Sequence, residues 1–472
     1  MSDAVKELLQ HDHASLVAPA GYGKTETIAQ FVAQSEGKQL VLTHTHAGVQ
    51  SLAKRFKKYS VNSSKFELDT ISGWALRMAN YYPQSTAFTK GIPSGDDWPV
   101  IVSGVANLLK FPFIKRVISQ SYTGVIVDEY QDCNLGHHSL ILALAEVLPC
   151  RVVGDPLQGI YSFAKGEKLV DWDIDVKSYF TSISELTIPY RWQNTNLRLG
   201  GWLKNVREKI YAEQTFDLPS SVVNHVVLSD SSSRATCYRL MRTQNDTVVA
   251  IHPELKHANS CHTLASQLIG NYQSIEEVDA KELQKHAKKF DNATGNQRAV
   301  VFIDFASDCM TIVSSELRTI RANFENSKSQ TLVKKNKHII DLLSDVAQTG
   351  DISKIKNSLK AMRHIVNSKN ESPSLYRADL FDSMMDALTL FESGNYASLV
   401  EAAWNARQRQ KHIGRREYTR IVSRTLLIKG LEYQHAILLD ADKFDSKNLY
   451  VALTRGSTSL TIISKEPRLT PK

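Results

Sequence analysis

Long apolar runs are missing from this sequence. No stretch approaches the roughly 20 consecutive apolar residues that a membrane-spanning helix needs. Cysteine is sparse: Cys133, Cys150, Cys237, Cys261 and Cys309 are scattered, and no two form a C-x-x-C pair. That argues against a zinc ribbon or a dithiol redox motif, and an odd, dispersed set predicts reduced thiols. The segment from Met1 to Gln10 is charged and lacks the apolar centre of a signal peptide. No internal repeat is visible. These absences together predict a soluble, cytoplasmic protein without a membrane partner.

The chain runs to 472 residues, with 42% hydrophobic and 22% charged residues. It is long enough for about two to four domains with real cores. A formal net charge of +8 and a pI near 9.0 favour an anionic partner, nucleic acid first.

Strand-like and helix-like runs alternate through the first 200 residues, the pattern of an α/β fold with a parallel sheet. Ala14 to Ala18, Gln39 to Thr43, Thr123 to Val127 and Arg151 to Val153 read as strands. Lys24 to Ser35, Ala47 to Tyr59 and His137 to Val147 read as helices. Tyr82 to Trp98 reads as a loop-rich insertion. Asn194 to Glu213 reads as a helix and Asp246 to His252 as a strand. From about Leu255 to Gln410 the pattern is mainly helical, with a strand-like apolar run at Ala299 to Phe305. Strands return at Arg424 to Ile428, His435 to Leu439 and Leu460 to Ser464. Charged runs such as Lys334 to Lys337 fit solvated helix faces. The pattern predicts two α/β cores, each with an insertion. The first core spans 1–75 and 121–192, with a short insertion at 76–120. The second spans 193–258 and 411–472, with a mainly helical insertion at 259–410.

Ala18-Pro-Ala-Gly-Tyr-Gly-Lys-Thr25 follows a strand and opens a helix, the setting of a phosphate-binding loop. Gly21 and Gly23 let the backbone curl so that amides turn inward, and the helix start adds favourable partial charge. Ala20, Gly21, Tyr22, Gly23, Lys24, Thr25 and Glu26 are therefore candidate nucleotide ligands. Lys24 would reach the terminal phosphates, and the Thr25 hydroxyl would hold Mg2+.

Val125 to Glu129 is an apolar strand with two acids at its carboxyl tip, which in a parallel sheet lies near the phosphate loop. Asp128 would hold the Mg2+. Glu129 would orient and deprotonate an attacking water. His44 and His46 share one side of a strand as metal ligands do, but no third ligand accompanies them.

Further motifs carry a family resemblance. Val127-Asp-Glu-Tyr-Gln-Asp132 resembles motif II of UvrD/Rep-type superfamily 1 helicases. Leu42-Thr-His-Thr-His46 resembles motif Ia, and Thr70-Ile-Ser-Gly-Trp74 the next DNA-contacting motif. The run from Val153 to Phe163 resembles motif III, and Ile188-Pro-Tyr-Arg191 motif IV. Ile428-Lys-Gly-Leu-Glu-Tyr433 resembles motif V, and Leu449-Tyr-Val-Ala-Leu-Thr-Arg455 motif VI. They follow in the family's order across residues 18 to 456 and leave the helical insertion largely unmatched.

The resemblance implies two RecA-like P-loop cores closing on ATP and Mg2+. It implies that Gln158 senses the γ-phosphate, that Tyr190 stacks on adenine, and that Arg191 and Arg455 contact the γ-phosphate. Glu432 would support the nucleotide. Thr43, His44, Thr45, Ser72, Trp74, Tyr161 and Phe163 would contact single-stranded DNA. The implied activity is an ATP-driven, 3′→5′ single-stranded DNA translocase or helicase.

The chain also departs from the family. Gln10 lies too close to Lys24 to stand for the adenine-reading glutamine. Ala47 replaces a lysine, and Leu427 and Ile428 replace a histidine–serine pair. The first insertion is short and the second modest beside those of the family, which favours translocation over strand separation. A second reading is therefore open: a DNA-dependent ATPase switch. It resembles the helicase-like subunit of Gabija-type anti-phage systems, with a nuclease subunit as partner.

Overall fold

The computed structural model describes residues 2–88, 93, 95–160, 168–241, 246–253, 259–276, 281–413 and 416–472, the side chains of 410–413 excepted. The fold is α/β, with two six-stranded parallel sheets that form two RecA-like cores.

The first sheet holds β1 (His13–Val17), β2 (Gln39–Thr43), β3 (Phe66–Thr70), β4 (Gly124–Val127), β5 (Cys150–Gly154) and β6 (Thr181–Ser182), in the order β3-β2-β4-β5-β1-β6. Its central strands are short and apolar because helices cover both faces. Alternation sorts the residues. Leu40 and Leu42 of β2, with Val125 and Val127 of β4, meet helices Ile71–Tyr81, Trp98–Leu108 and Leu135–Ala145 on one face. Val41 and Ile126 meet helices Asp3–Gln10, Lys24–Gln34 and His46–Lys58 on the other. The segment expected as the first insertion packs into this same core, through Met78, Ile101, Val105 and Leu108. Tyr82 to Trp98 includes the short helix Pro83–Thr86, and Phe88 is buried there.

After the small strand β7 (Phe216–Asp217), the second sheet holds β8 (Asn224–Val227), β9 (Val248–His252), β10 (Gln273–Ser274), β11 (Arg420–Arg424), β12 (Tyr433–Leu438) and β13 (Gly456–Ser464). Their order is β10-β11-β9-β12-β13-β8, and β14 (Arg468–Leu469) pairs antiparallel with β7. The sheet reaches further along the chain than the 193–258 boundary suggests. Strand β10 pairs with β11, and helix Asn259–Gln267 packs Cys261, Leu264 and Ala265 against the sheet. The helices from Lys281–Asp291 to Leu399–Ile413 have a core of their own, running from Leu283 to Ala406. A buried pair joins it to the sheet: Arg377 Nε donates to Glu276 Oε1 at 2.7 Å.

Two expected strands are corrected. Ala299 to Phe305 lies inside helix Asn296–Cys309, where Val300, Phe302, Ile303 and Phe305 are all buried. A helix enclosed by others is apolar nearly all round, so its pattern mimics a buried strand. Arg424 to Ile428 is not a strand either: β11 ends at Arg424, and Thr425–Ile428 is a single helical turn.

All five cysteines are buried, and none is in a disulfide. Among the described residues no helix is long and apolar enough to cross a membrane.

Candidate functional site

The sheet order brings the two acidic and phosphate-loop motifs together. β5 lies between β1 and β4, so the loops leaving β1 and β4 emerge on either side of the β5 tip. Ala18 N donates to Gly154 O at 2.8 Å, and Asp128 N to Leu42 O at 2.7 Å, which fixes both loops to the sheet edge.

Gly21 and Gly23 take left-handed φ values of 80° and 88°. A Cβ on Gly21 would lie 2.8 Å from the Trp192 ring and 2.9 Å from Arg191 Cβ; one on Gly23 would lie 3.0 Å from the Tyr190 ring. The loop is therefore read closely by the Tyr190–Trp192 segment, and Arg191 N donates to Gly21 O at 2.9 Å. The Tyr190 ring stays half exposed beside Gly23.

Lys24 opens helix Lys24–Gln34, and its Nζ lies 2.8 Å from Asp128 Oδ1 and also pairs with Glu129. Burial opposes its charge, yet Asp128 and Glu129 raise its pKa above the usual lysine range. Burial likewise pushes the Asp128 carboxyl up. Glu129 goes the other way: against burial, Lys24 and then Lys429 lower its pKa to about 2. Glu129 is also a non-glycine residue at φ 56°, a strained placement of the kind found at functional sites. Gln131 Nε2 donates to Glu129 Oε2 at 2.5 Å and orients it.

The second core completes the cluster. Arg191 Nε donates to Glu432 Oε2 at 2.8 Å, and its Nη1 to Thr454 O at 2.5 Å. Arg455 is 1% exposed and donates to Val451 O (2.8 Å), Leu431 O (3.0 Å), Thr454 Oγ1 (2.9 Å) and Gln158 Oε1 (3.3 Å). All four partners are neutral oxygens. Burial, and then Arg191 nearby, lower its pKa to about 9. Among the described residues no carboxylate pairs with it directly; a buried guanidinium so placed is costly, and an anion delivered to it would relieve that cost. Gln158 is buried as well; its Nε2 donates to Asp155 Oδ2 at 3.0 Å.

Several expected ligands hold different posts. The Tyr22 ring is buried against the second core, in one cluster with Trp192 and Leu203, so only its backbone is left to serve the loop. The Glu26 carboxylate turns to helix His46–Lys58, 2.7 Å from Arg55 Nη1. Ala20 N donates to Tyr450 Oη at 3.3 Å. Thr25 is half-buried beside Lys24.

The expected DNA contacts are dispersed. Thr43 is wholly buried at the end of the central strand β2, and Trp74 is buried on the sheet-facing side of its helix. Both side chains are core, and neither is open to a base. Thr45 caps helix His46–Lys58, its Oγ1 accepting from Gly48 N at 3.1 Å. Ser72 Oγ lies 3.2 Å from His137 Nε2. His44 is half-buried, and burial pushes its pKa down to about 3, so the ring is neutral. No group of three or more metal-ligating His, Cys, Asp or Glu side chains occurs among the described residues. Tyr161 and Phe163 lie outside the described residues.

Four participants were not singled out from sequence. Lys429 Nζ lies 2.5 Å from Asp132 Oδ1 and also donates to Gln158 O. Trp192 is fully buried and donates to Gly456 O at 2.8 Å, and Tyr450 is the hydroxyl on Ala20. Lys429 and Tyr450 sit in second-core motifs and Trp192 follows the Ile188–Arg191 motif, and only the interface between the cores shows what they touch.

Residues 1–164 match the AAA domain family. No curated protein matches the chain in sequence. Among solved structures, the chain is similar to arterivirus nonstructural protein 10 (helicase) with DNA, at 10% identity and TM-score 0.35 over 98% of this chain and 62% of that one. The chain thus spans less than two thirds of that protein. It is also similar to Pif1 helicase from Candida albicans, at 10% identity and TM-score 0.40, over 98% and 94% of the two chains. A third is Bacteroides Pif1 bound to single-stranded DNA, at 12% identity and TM-score 0.29, over 57% and 56%.

The donor set suits a triphosphate with Mg2+: left-handed glycines, a buried lysine, a hydroxyl at Thr25 and a buried carboxylate at Asp128. Thr25 and Asp128 would hold the Mg2+, which supplies charge neutralisation for phosphoryl transfer.

Proposed function

We propose that this chain is a superfamily 1 helicase-like motor that hydrolyses ATP to move along single-stranded DNA. One observation carries the reading: Arg455, from the second core, is buried at the first core's Gln158, and its hydrogen-bond acceptors among the described residues are all neutral oxygens. Such a cation is matched to a polyphosphate held by Lys24, and it reaches that phosphate only when the cores close.

In this reading Lys24 binds the terminal phosphates, and Lys24 must release Asp128 and Glu129 as it does so. Glu129, charged at neutral pH, accepts a proton from the attacking water. Arg191 and Arg455 neutralise charge on the transferring phosphoryl group, and Tyr190 covers the base. Glu432 steadies Arg191. Gln158, by its place in the motif III resemblance, ties the γ-phosphate to the DNA track. The 3′→5′ direction rests on the motif resemblance.

The test is ATP turnover by the purified chain with Mg2+, with and without single-stranded DNA, and with partial duplexes bearing a 3′ or a 5′ tail. Strand release that needs ATP and a 3′ tail supports the full reading. Release from 5′ tails overturns the direction alone. DNA-stimulated hydrolysis without release restricts the activity to translocation or switching. Folded protein without hydrolysis overturns the reading.

A further inference from the structure

Arg207 lies outside every motif, on helix Leu197–Tyr211, which packs into the second core through Leu199, Leu203 and Val206. Its side chain reaches back into the first core. Nη2 lies 3.2 Å from Asp155 Oδ1 and Nη1 2.9 Å from Glu185 Oε1, while the guanidinium sits over the Tyr211 ring at 5.2 Å. Asp155 is fully buried. One of its oxygens, Oδ1, takes Arg207 and Leu157 N; the other, Oδ2, takes Gln158 Nε2 at 3.0 Å. Its own N–H donates to Gln131 Oε1 at 3.0 Å, and Gln131 in turn donates to Glu129. A single carboxylate therefore stands between an arginine of one core and Gln158 of the other, while the backbone N–H of the same residue leads through Gln131 to Glu129.

Among the described ion pairs of Asp155, Arg207 is the only cation. A buried carboxylate keeps its orientation only while it is paired, because desolvation otherwise drives it to rotate, hydrate or take a proton. The planar fork of arginine spans Asp155 and Glu185 together, which a lysine does less well. Because helix Leu197–Tyr211 packs into the second core, any separation of the cores would carry Arg207 with it. The pair to Asp155 then stretches, and the amide of Gln158 loses its fixed acceptor.

We propose that Arg207 is a positioning residue: through the Asp155 carboxylate it sets Gln158 according to the position of the second core. This rests on the motor reading above and names the residue that couples closure to hydrolysis. A plainer role exists, in which Arg207 only neutralises Asp155, and the two differ in what a charge-balanced double variant does.

The experiment compares wild type, Arg207→Met, Arg207→Lys and Arg207→Met with Asp155→Asn, by ATP turnover with and without oligo-dT, by KM for ATP, and by thermal melting. Wild type without DNA-stimulated hydrolysis overturns the motor reading itself, before any variant is considered. With stimulation present, Arg207→Met should lower the stimulated kcat about tenfold and leave KM within about twofold. Arg207→Lys should recover part of it. The double variant should melt like wild type and still lack stimulation. If the double variant recovers stimulation along with stability, or if Arg207→Met is stimulated as wild type is, the positioning role is overturned. If Arg207→Met fails to fold, the double variant decides alone.

Discussion

Lys429 Nζ of the second core lies 2.5 Å from Asp132 Oδ1 of the first, and the two side chains are 4% and 1% exposed. With the Gln158 carbonyl as its third contact, Lys429 pins the turn after β4 to the turn after β5 and both to the second core. Breaking one side of such a buried pair leaves an uncompensated charge and costs about 3–5 kcal/mol. Lys429→Met should therefore lower stability by about that amount in urea unfolding. Lys429→Met with Asp132→Leu should recover most of it. A single variant as stable as wild type would show that the pair does not secure the interface.

Glu129→Gln separates binding from chemistry. The amide keeps the shape and the Gln131 neighbour but cannot accept the proton of the attacking water. ATP affinity, read by a fluorescent analogue, should stay within a few-fold, while turnover should fall by about 10²–10⁴. Lys24→Ala should instead lose affinity. Equal loss of affinity in both variants would remove Glu129 from the role of base.

The same residue sets a limb of the stability profile. Its pKa is lowered from 4.5 to about 2 by Lys24 and Lys429. Between those values the unfolded chain binds more protons than the folded one, so stability rises with pH. The contribution is full above the unfolded value and is lost as pH falls toward 2, an effect of about 3 kcal/mol. Asp128, raised by burial, acts with the opposite sign. Stability measured from pH 6 to pH 2 should fall less steeply in Glu129→Gln than in wild type, and more steeply in Asp128→Asn. Parallel curves for all three would contradict the assignment.

Much of the first core is legible in the chain because its strands are short, apolar and end in telling residues. The apolar run to Val127 stops at Asp128-Glu129, and β1 runs into the glycine loop. The helical run around Phe302 was not legible, since over a short apolar window local periodicity does not distinguish a largely buried helix from a strand. The facing of side chains was not legible either. Thr43 and Trp74 fall in motifs that suggest a DNA surface, yet β2 is central and Trp74 faces the sheet, so burial decides against it. Arg207 carries no local signal at all: its role depends on a helix of one core reaching a loop of the other.

Gly21→Ala probes the contact between the phosphate loop and the Tyr190–Trp192 segment. The new methyl would meet the Trp192 ring at 2.8 Å, and φ 80° disfavours any side chain. Left-handed strain adds about 1–2 kcal/mol, and crowding about 1–3 kcal/mol more. Thermal melting should show destabilisation, and ATP binding should weaken with it. Relief by Trp192→Phe, which shortens the ring at the contact, would confirm the steric origin, whereas unchanged melting of Gly21→Ala would deny it.

Arg455 gives the sharpest distinction, because its folded-state role and its catalytic role predict opposite stability changes. A buried guanidinium hydrogen-bonded to neutral oxygens destabilises the resting protein, so Arg455→Met should leave stability equal or raised. If it is the group that meets the transferring phosphoryl, the same change should lower ATP turnover by about 10³-fold or more. Arg455→Lys keeps the charge but loses the fork that spans Gln158 and the Leu431 carbonyl, and should recover only a small part of the rate. Binding of ATP, measured separately, should change far less than turnover, since the stabilisation belongs to the transition state. A variant that is less stable and hydrolyses ATP normally would make Arg455 a packing residue and leave Arg191 as the arginine of the site.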